Sequence, residues 1–242
     1  MKKRYKSKQI VDLEVILPVY NERDSIQLVV REWVKEFLRQ DIPFRFIICE
    51  DGSIDGTQQV LKKLALKYPM MLNQAHFRRG YGKAVIDGIN TANARYVLCI
   101  DSDGQCDPGD FGRFWEKRDV EAIHIGWRIH RADALQRKLF SGLFGLLFRS
   151  LFPTPIHDPS APFVLFRRTT IIPYLSELSY MREGFWWGFV GMCIKHNIKI
   201  SELPIKHRPR ISGKTNVYQA SKMPLIAIRN TVGLIYLRFH RG

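Results

Sequence analysis

Cysteine is scarce in this chain and never paired. Cys49, Cys99, Cys106 and Cys193 are the four among 242 residues, and none lies at CxxC spacing from another. A disulfide framework and a zinc knuckle are therefore excluded. Cys49 and Cys99 sit in apolar runs, as small core residues of a reducing compartment do. Long hydrophobic runs are also missing. No stretch reaches the roughly 18 charge-free apolar residues of a membrane span. The nearest, 139–152 and 223–239, are broken by Arg149 and by Arg229, Asn230 and Arg238. The basic opening MKKRYKSKQI has no apolar segment behind it, so a secretory signal is not expected. There is no internal repeat, no Gly/Ser linker and no GxxxxGK[ST] loop, which removes a P-loop nucleotidase. No helix-turn-helix, zinc-finger or RNP-like pattern occurs, so nucleic acid is not an expected partner.

Acidic residues are short in one half only. Residues 1–125 carry 20 basic and 18 acidic side chains, a net of +2; residues 126–242 carry 18 and 5, a net of +13. On charge alone, the second half faces something anionic, whether nucleic acid, a membrane surface or a phosphorylated substrate, and the missing nucleic-acid motifs argue against the first.

What is present is an alternation of apolar strands and amphipathic helices over residues 12–125. LEVILP at 13–18, FRFIIC at 44–49, a short strand near 70–72 and YVLCI at 96–100 read as strands. Between them lie helices through Ile26, Val29, Val30, Trp33 and Phe37, capped by Asn21 or Asp24, then through Val60, Leu61 and Leu64, and then through Val85, Ile89 and Ala92. This rhythm predicts an α/β fold with an open, mostly parallel sheet and helices on both faces. Beyond a strand at 122–127 the rhythm weakens. Helices are expected at 135–152, 185–195 and 218–239, strands at 163–166 and 198–205, and a basic loop at 207–216. The organisation expected is a basic tail at 1–10, a catalytic domain at 11–217 and an amphipathic, membrane-interfacial helix at 218–242.

In an open parallel sheet, ligands bind beyond the carboxyl ends of the strands. Three such ends here are polar: Pro18-Val19-Tyr20-Asn21-Glu22, Glu50-Asp51-Gly52-Ser53 and Asp101-Ser102-Asp103-Gly104-Gln105. The last sets two carboxylates and an amide oxygen at alternate positions, a donor set for Mg²⁺ or Mn²⁺. Each alone reads equally as a turn. Arg79-Gly80-Tyr81-Gly82-Lys83 opens a helix where phosphate can approach.

These motifs, with Glu50-Asp51-Gly52-Ser53-x-Asp55-Gly56-Thr57 and Gly80-x-Gly82-x-Ala84-x-x-x-Gly88, occur in an order and spacing that resembles family 2 glycosyltransferases of GT-A fold. The closest subgroup is the dolichol-phosphate mannosyltransferase-like enzymes. The resemblance implies that Pro18, Tyr20, Glu22 and Asp51 hold the nucleotide, with Gly80, Lys83 and Asp101 beside it. It implies that Asp101, Asp103 and Gln105 hold the metal. Gly126-Trp127-Arg128 stands at the subgroup's Gly-Ser-Arg position. Arg137 and Ser141, four apart on one helix face, match its acceptor-phosphate residues, joined by Arg128. Residues 157–163, HDPSAPF, resemble the subgroup's Asp-x-x-x-Gly-Phe, with Pro162 in place of Gly. Arg210-x-x-Gly213-Lys214-Thr215-Asn216 resembles Arg-x-x-Gly-x-Ser-Lys, so Arg210 and Lys214 are expected to close over the diphosphate.

The reaction expected is metal-dependent, inverting transfer of a sugar from a nucleotide-sugar to a polyprenyl phosphate, with Asp103, Arg137 and Arg210 as catalytic residues. A sugar hydroxyl needs a carboxylate base. The stretch where the family keeps an Asp is here Arg182-Glu183-Gly184-Phe185, without one. A phosphate monoester is already ionised at pH 7 and needs cations instead. The rivals are a family 2 enzyme acting on a glycan hydroxyl, with Glu183 as base, and a non-catalytic basic membrane-binding subunit. The expected setting is cytoplasmic and peripheral, on an anionic membrane surface, with room for a membrane-spanning partner subunit.

Overall fold

A computed structural model describes residues 11–129, 135–181, 184–211 and 223–240. Strands β1 (Leu13–Val19), β2 (Phe44–Glu50), β3 (Met70–Gln74) and β4 (Tyr96–Cys99) alternate with helices α1 (Ile26–Arg39), α2 (Thr57–Ala65) and α3 (Tyr81–Thr91). After β4 come α4 (Phe111–Lys117), β5 (Ile123–Arg128), α5 (Leu135–Leu151), β6 (Val164–Arg167), α6 (Arg168–Ile171), α7 (Phe185–Lys195), β7 (Ile200–Ile205) and α8 (Met223–Phe239). One seven-stranded sheet runs β3-β2-β1-β4-β6-β5-β7. It is parallel except at β6, which pairs antiparallel with both β4 and β5.

β1 is buried along its whole length, as a central strand covered on both faces must be. Its residues alternate between two cores. Leu13, Val15, Leu17 and Val19 pack with α1, α2 and α4, around Trp33, Phe37 and Phe111. Ile16 packs on the other face with α3, α5, α7 and α8, among Val85, Phe148, Phe189 and Leu234. The period of two divides the strand between the layers. Pro18 lies inside β1, but the β1–β4 ladder ends at Ile16–Cys99, so its missing N–H breaks no rung there.

The differences from expectation are local. Neither Asn21 nor Asp24 caps α1. Ser25 precedes it without a capping side-chain bond, and its hydroxyl meets the Glu22 carboxylate instead. Asn21 takes a left-handed turn (φ 54°). α4 was not expected, because the Asp107-Pro108-Gly109-Asp110 turn masks a helix of only seven residues. The apolar side of α8 also divides. Ile226, Leu234 and Leu237 are buried, whereas Val232 and Ile235 are exposed, so the helix packs on the core and still shows apolar surface.

Candidate active site

The strand order reverses between β1 and β4, the place where an open α/β sheet opens a crevice beyond its strand ends. Glu22 follows β1 there, and Asp101, Asp103 and Gln105 follow β4.

The DGSxDGT segment ties the loops around this crevice together. Ser53 Oγ accepts from Asn21 N at 2.9 Å, Thr57 Oγ1 from Glu22 N at 2.9 Å, and Asp55 Oδ2 from Arg23 N at 3.2 Å. Asn21 Oδ1 in return accepts from Ile54 N at 3.0 Å. Asp51 is buried, and its two oxygens accept from Arg79 N at 2.7 Å and Gly80 N at 2.9 Å. Asp51 thus fixes the turn that starts α3. Gly52 (φ +75°) lets that turn pass, since a Cβ there would lie 2.5 Å from the Phe77 carbonyl carbon. Tyr20 is half-buried with the Arg78 guanidinium 4.2 Å over its ring. Lys83 pairs with Asp87 one turn on, at 2.7 Å, on the exposed side of α3.

The acidic group is crossed by the chain that leaves β7. Cys106 bridges His207 antiparallel, Arg208 N donates to Gln105 O at 2.9 Å, and Ile211 N donates to Asp103 O at 3.3 Å. Gly104 (φ +78°) is required beneath it, because a Cβ would lie 2.1 Å from Ile211 Cδ1. Arg210 consequently reaches Asp103 Oδ2 at 3.5 Å and also pairs with Glu22. Gln105 Nε2 donates to Arg208 O at 3.3 Å, which reserves its Oε1, the atom a metal uses. Burial, and then repulsion from Asp103, pushes the Asp101 carboxyl up to about 7, against the fields of Arg128 and Arg210. Burial likewise pushes Glu22 up to about 7, partly offset by Ser25 and Arg210.

Two neighbouring carboxylates, Asp101 and Asp103, beside an amide oxygen with its nitrogen already engaged, fit a hard divalent cation. Among the described residues no three His, Cys, Asp or Glu side chains converge as a closed cage. An open site of this kind suits an ion that also takes phosphate oxygens.

Arg128 is buried, with a fork that meets Asp158 at 2.7 and 2.9 Å and a further bond to Ser160 Oγ at 2.7 Å. The sequence did not reveal this pairing, although Asp158 belongs to the segment it singled out. Arg137 and Ser141 fall on α5, but their side chains lie outside the described residues, as do Lys214 and Glu183. Two contributors were missed entirely: Tyr81, whose hydroxyl donates to Asp101 Oδ1 at 2.7 Å, and Trp186, whose Nε1 donates to that hydroxyl at 2.7 Å. Tyr81 lay within the Gly-rich motif. Trp186 is 81 positions or more from every motif at the strand ends, so only its aromatic helix offered a signal.

The family model described as "Glycosyl transferase family 2" matches residues 14–174, more than half of the chain. The chain belongs to glycosyl transferase family 2. As a member of that family it resembles curated relatives named for polyprenyl-phosphate substrates. It is 29% identical over 231 residues to a dolichyl-phosphate beta-glucosyltransferase of Dictyostelium discoideum, covering 86% of this chain and 70% of that one. It is 25% identical over 213 residues to a dodecaprenyl-phosphate galacturonate synthase of Rhizobium johnstonii, covering 85% and 61%. The chain thus spans less than two thirds of that relative's length. Among solved structures, glucosyl-3-phosphoglycerate synthase of Mycobacterium tuberculosis, in complex with Mn²⁺, UDP-glucose and phosphoglyceric acid, superposes with a TM-score of 0.70 at 15% identity, covering 96% of this chain and 81% of that one. The fold of this family 2 member is therefore GT-A.

Proposed function

We propose that the chain transfers a sugar from a nucleotide-sugar to a polyprenyl phosphate, with a divalent metal and with inversion at the anomeric carbon. The observation that carries the reading is the crossing of the basic segment 207–211 over Asp103-Gly104-Gln105, which brings Arg210 onto the residues read as metal ligands. The names of the curated relatives supply the acceptor class.

When bound, Mg²⁺ or Mn²⁺ supplies Lewis-acid stabilisation of the leaving diphosphate. Asp101, Asp103 and the Gln105 oxygen would hold it. Pro18, Tyr20, Glu22 and Asp51 shape the nucleotide end, Asp51 through the Arg79-Gly80 turn. Gly80 opens α3, and Lys83 lies one turn inside it. Arg210 moves from its carboxylate partners to the diphosphate, with Lys214, and adds charge stabilisation in a site sheltered from water. Arg128 is within electrostatic reach of Asp101. With Arg137 and Ser141 it would position the acceptor phosphate opposite the leaving group. That phosphate, with a second pKa of about 6, attacks without a base.

The acceptor's membrane is met by α8 and α5. Leu225, Ile228, Val232, Ile235 and Phe239 form an exposed stripe on α8, flanked by the exposed Arg229 and Arg238, and Leu146 is exposed on α5. Helices that lie in the membrane plane combine these features. No helix among the described residues is long and apolar enough to cross a membrane.

The test is transfer of radiolabel from a panel of nucleotide-sugars, with Mn²⁺, to undecaprenyl or dolichyl phosphate. Label in a mild-acid-labile lipid phosphate supports the reading. Label only in an acid-stable glycan would favour the hydroxyl-acceptor rival, and no transfer from any donor would favour the non-catalytic one.

A further inference from the structure

The Gly-rich turn, the acidic group and the aromatic helix α7 meet at one hydroxyl. Trp186 Nε1 is a donor only, so its 2.7 Å bond fills a lone pair of the Tyr81 oxygen. The single phenolic hydrogen must then point elsewhere, and Asp101 Oδ1 stands 2.7 Å away. Trp186 thereby sets the direction of the Tyr81–Asp101 bond. Each member is held in turn. Tyr81 is the first residue of α3, directly after Gly80, whose amide is bound by Asp51. Trp186 is only 5% exposed. Two residues before it, Gly184 N donates to the buried Asn230 Oδ1 of α8 at 3.1 Å. A Cβ on Gly184 would lie 2.6 Å from Asn230 Cγ, so α7 begins hard against α8.

We propose that Tyr81, oriented by Trp186, is the positioning residue for Asp101: it holds one carboxylate oxygen and leaves the other for the metal. This rests on the reading of Asp101 as a metal ligand. It also links Asp51, the Gly-rich turn and Asp101 in one chain of contacts, since Asp51 places Gly80, Gly80 places Tyr81, and Tyr81 places Asp101. Outer bonds of this kind orient a ligating carboxylate, and losing one weakens metal binding about 10- to 100-fold.

The experiment is a Mn²⁺ titration of the full chain with UDP present, read by the paramagnetic resonance of the free ion and needing no turnover. Tyr81→Phe keeps the ring and deletes the hydroxyl. It is expected to weaken Mn²⁺ binding about 10- to 100-fold, and transfer by the variant should recover as Mn²⁺ is raised, which a general loss of structure would not allow. Trp186→Phe keeps the hydroxyl but frees its direction, and should weaken Mn²⁺ binding by less. A folded Tyr81→Phe protein with wild-type Mn²⁺ affinity overturns the proposal. If Tyr81→Phe does not fold, wild-type affinity in Trp186→Phe overturns it equally. Wild-type protein that binds no Mn²⁺ with UDP present removes the metal reading itself, and this proposal with it.

Discussion

In the first half of the chain nearly every polar side chain at the strand ends is bonded to a neighbouring loop, and opposite charges almost balance. In the second half 18 basic residues stand against 5 acidic ones, and α8 turns an apolar stripe outward. Ser53, Asp55, Thr57 and Asp51 bind main-chain amides of the loops after β1 and β3. On the proposed reading, the donor side is built in advance, with its shape fixed by bonds inside the protein. The proposed acceptor side carries an excess of positive charge and an exposed apolar stripe on α8. The difference separates two ways of meeting a ligand: a small, highly charged donor needs a rigid cradle, whereas a lipid-borne acceptor needs a surface.

The sharpest way to break this contrast is at the acidic group. Asp103→Asn is expected to lower transfer by about 10³-fold or more, because the metal's several kcal/mol of charge stabilisation counts tenfold per 1.4 kcal/mol. Circular dichroism should stay unchanged. Full activity in the mutant, or in EDTA, would show that the site is not built on this carboxylate.

Arg128 tests where the two halves join. The pair with Asp158 is buried on both sides, 6% and 7% exposed. Arg128→Ala should therefore destabilise the fold by about 3–5 kcal/mol, by taking the guanidinium fork away from a buried carboxylate. Adding Asp158→Ala should restore part of that, as read in urea unfolding. A single mutant of wild-type stability that loses only acceptor saturation would make Arg128 purely a ligand residue.

On the surface half, Ile228→Glu and Val232→Glu remove apolar area from the stripe. Each should weaken binding to anionic vesicles by roughly tenfold or more, the equivalent of about 1.5–3 kcal/mol for a buried aliphatic side chain, with stability almost unchanged. Raising salt should weaken wild-type binding further. Vesicle affinity that is indifferent to both changes would reduce α8 to core packing.

The smallest effect is a pH dependence. His124 lies in β5, 1% exposed, with its ring against the main chain of Lys117 and Glu121. Burial lowers its pKa from 6.5, opposed by the main chain of Lys117 and Glu121 and by the Glu121 charge, with the Lys117 charge adding slightly to the lowering. A lowered pKa means that unfolding takes up a proton. The contribution is fully present above about pH 6.5 and is lost as the pH falls below it. Urea midpoints of the wild type should therefore drop between pH 7 and 5 more steeply than those of His124→Leu. Parallel curves would contradict the assignment.

Much of this was legible in the residues. Apolar runs and helical periods placed β1 to β4 and α1 to α3 to within a few residues, because each element has a local pattern. The acidic group at the end of β4 could be found because strand ends gather ligands in any open α/β sheet. Asn21 misled because a good capping residue can equally take a left-handed turn, and bonds from Ser53 and to Ile54 held it there.

Sequence by itself determined the α/β alternation, the polar strand ends, the charge asymmetry and the family, since each is carried by residues near one another or by composition. Only the tertiary structure decided that β6 inserts antiparallel between β4 and β5, that 207–211 crosses the acidic group, that Arg128 pairs with Asp158, and that Trp186 hydrogen-bonds Tyr81 from 105 positions away. Each of those contacts joins distant segments. Their partners are chosen by the packing of two cores on one sheet, and no short window of sequence contains that packing.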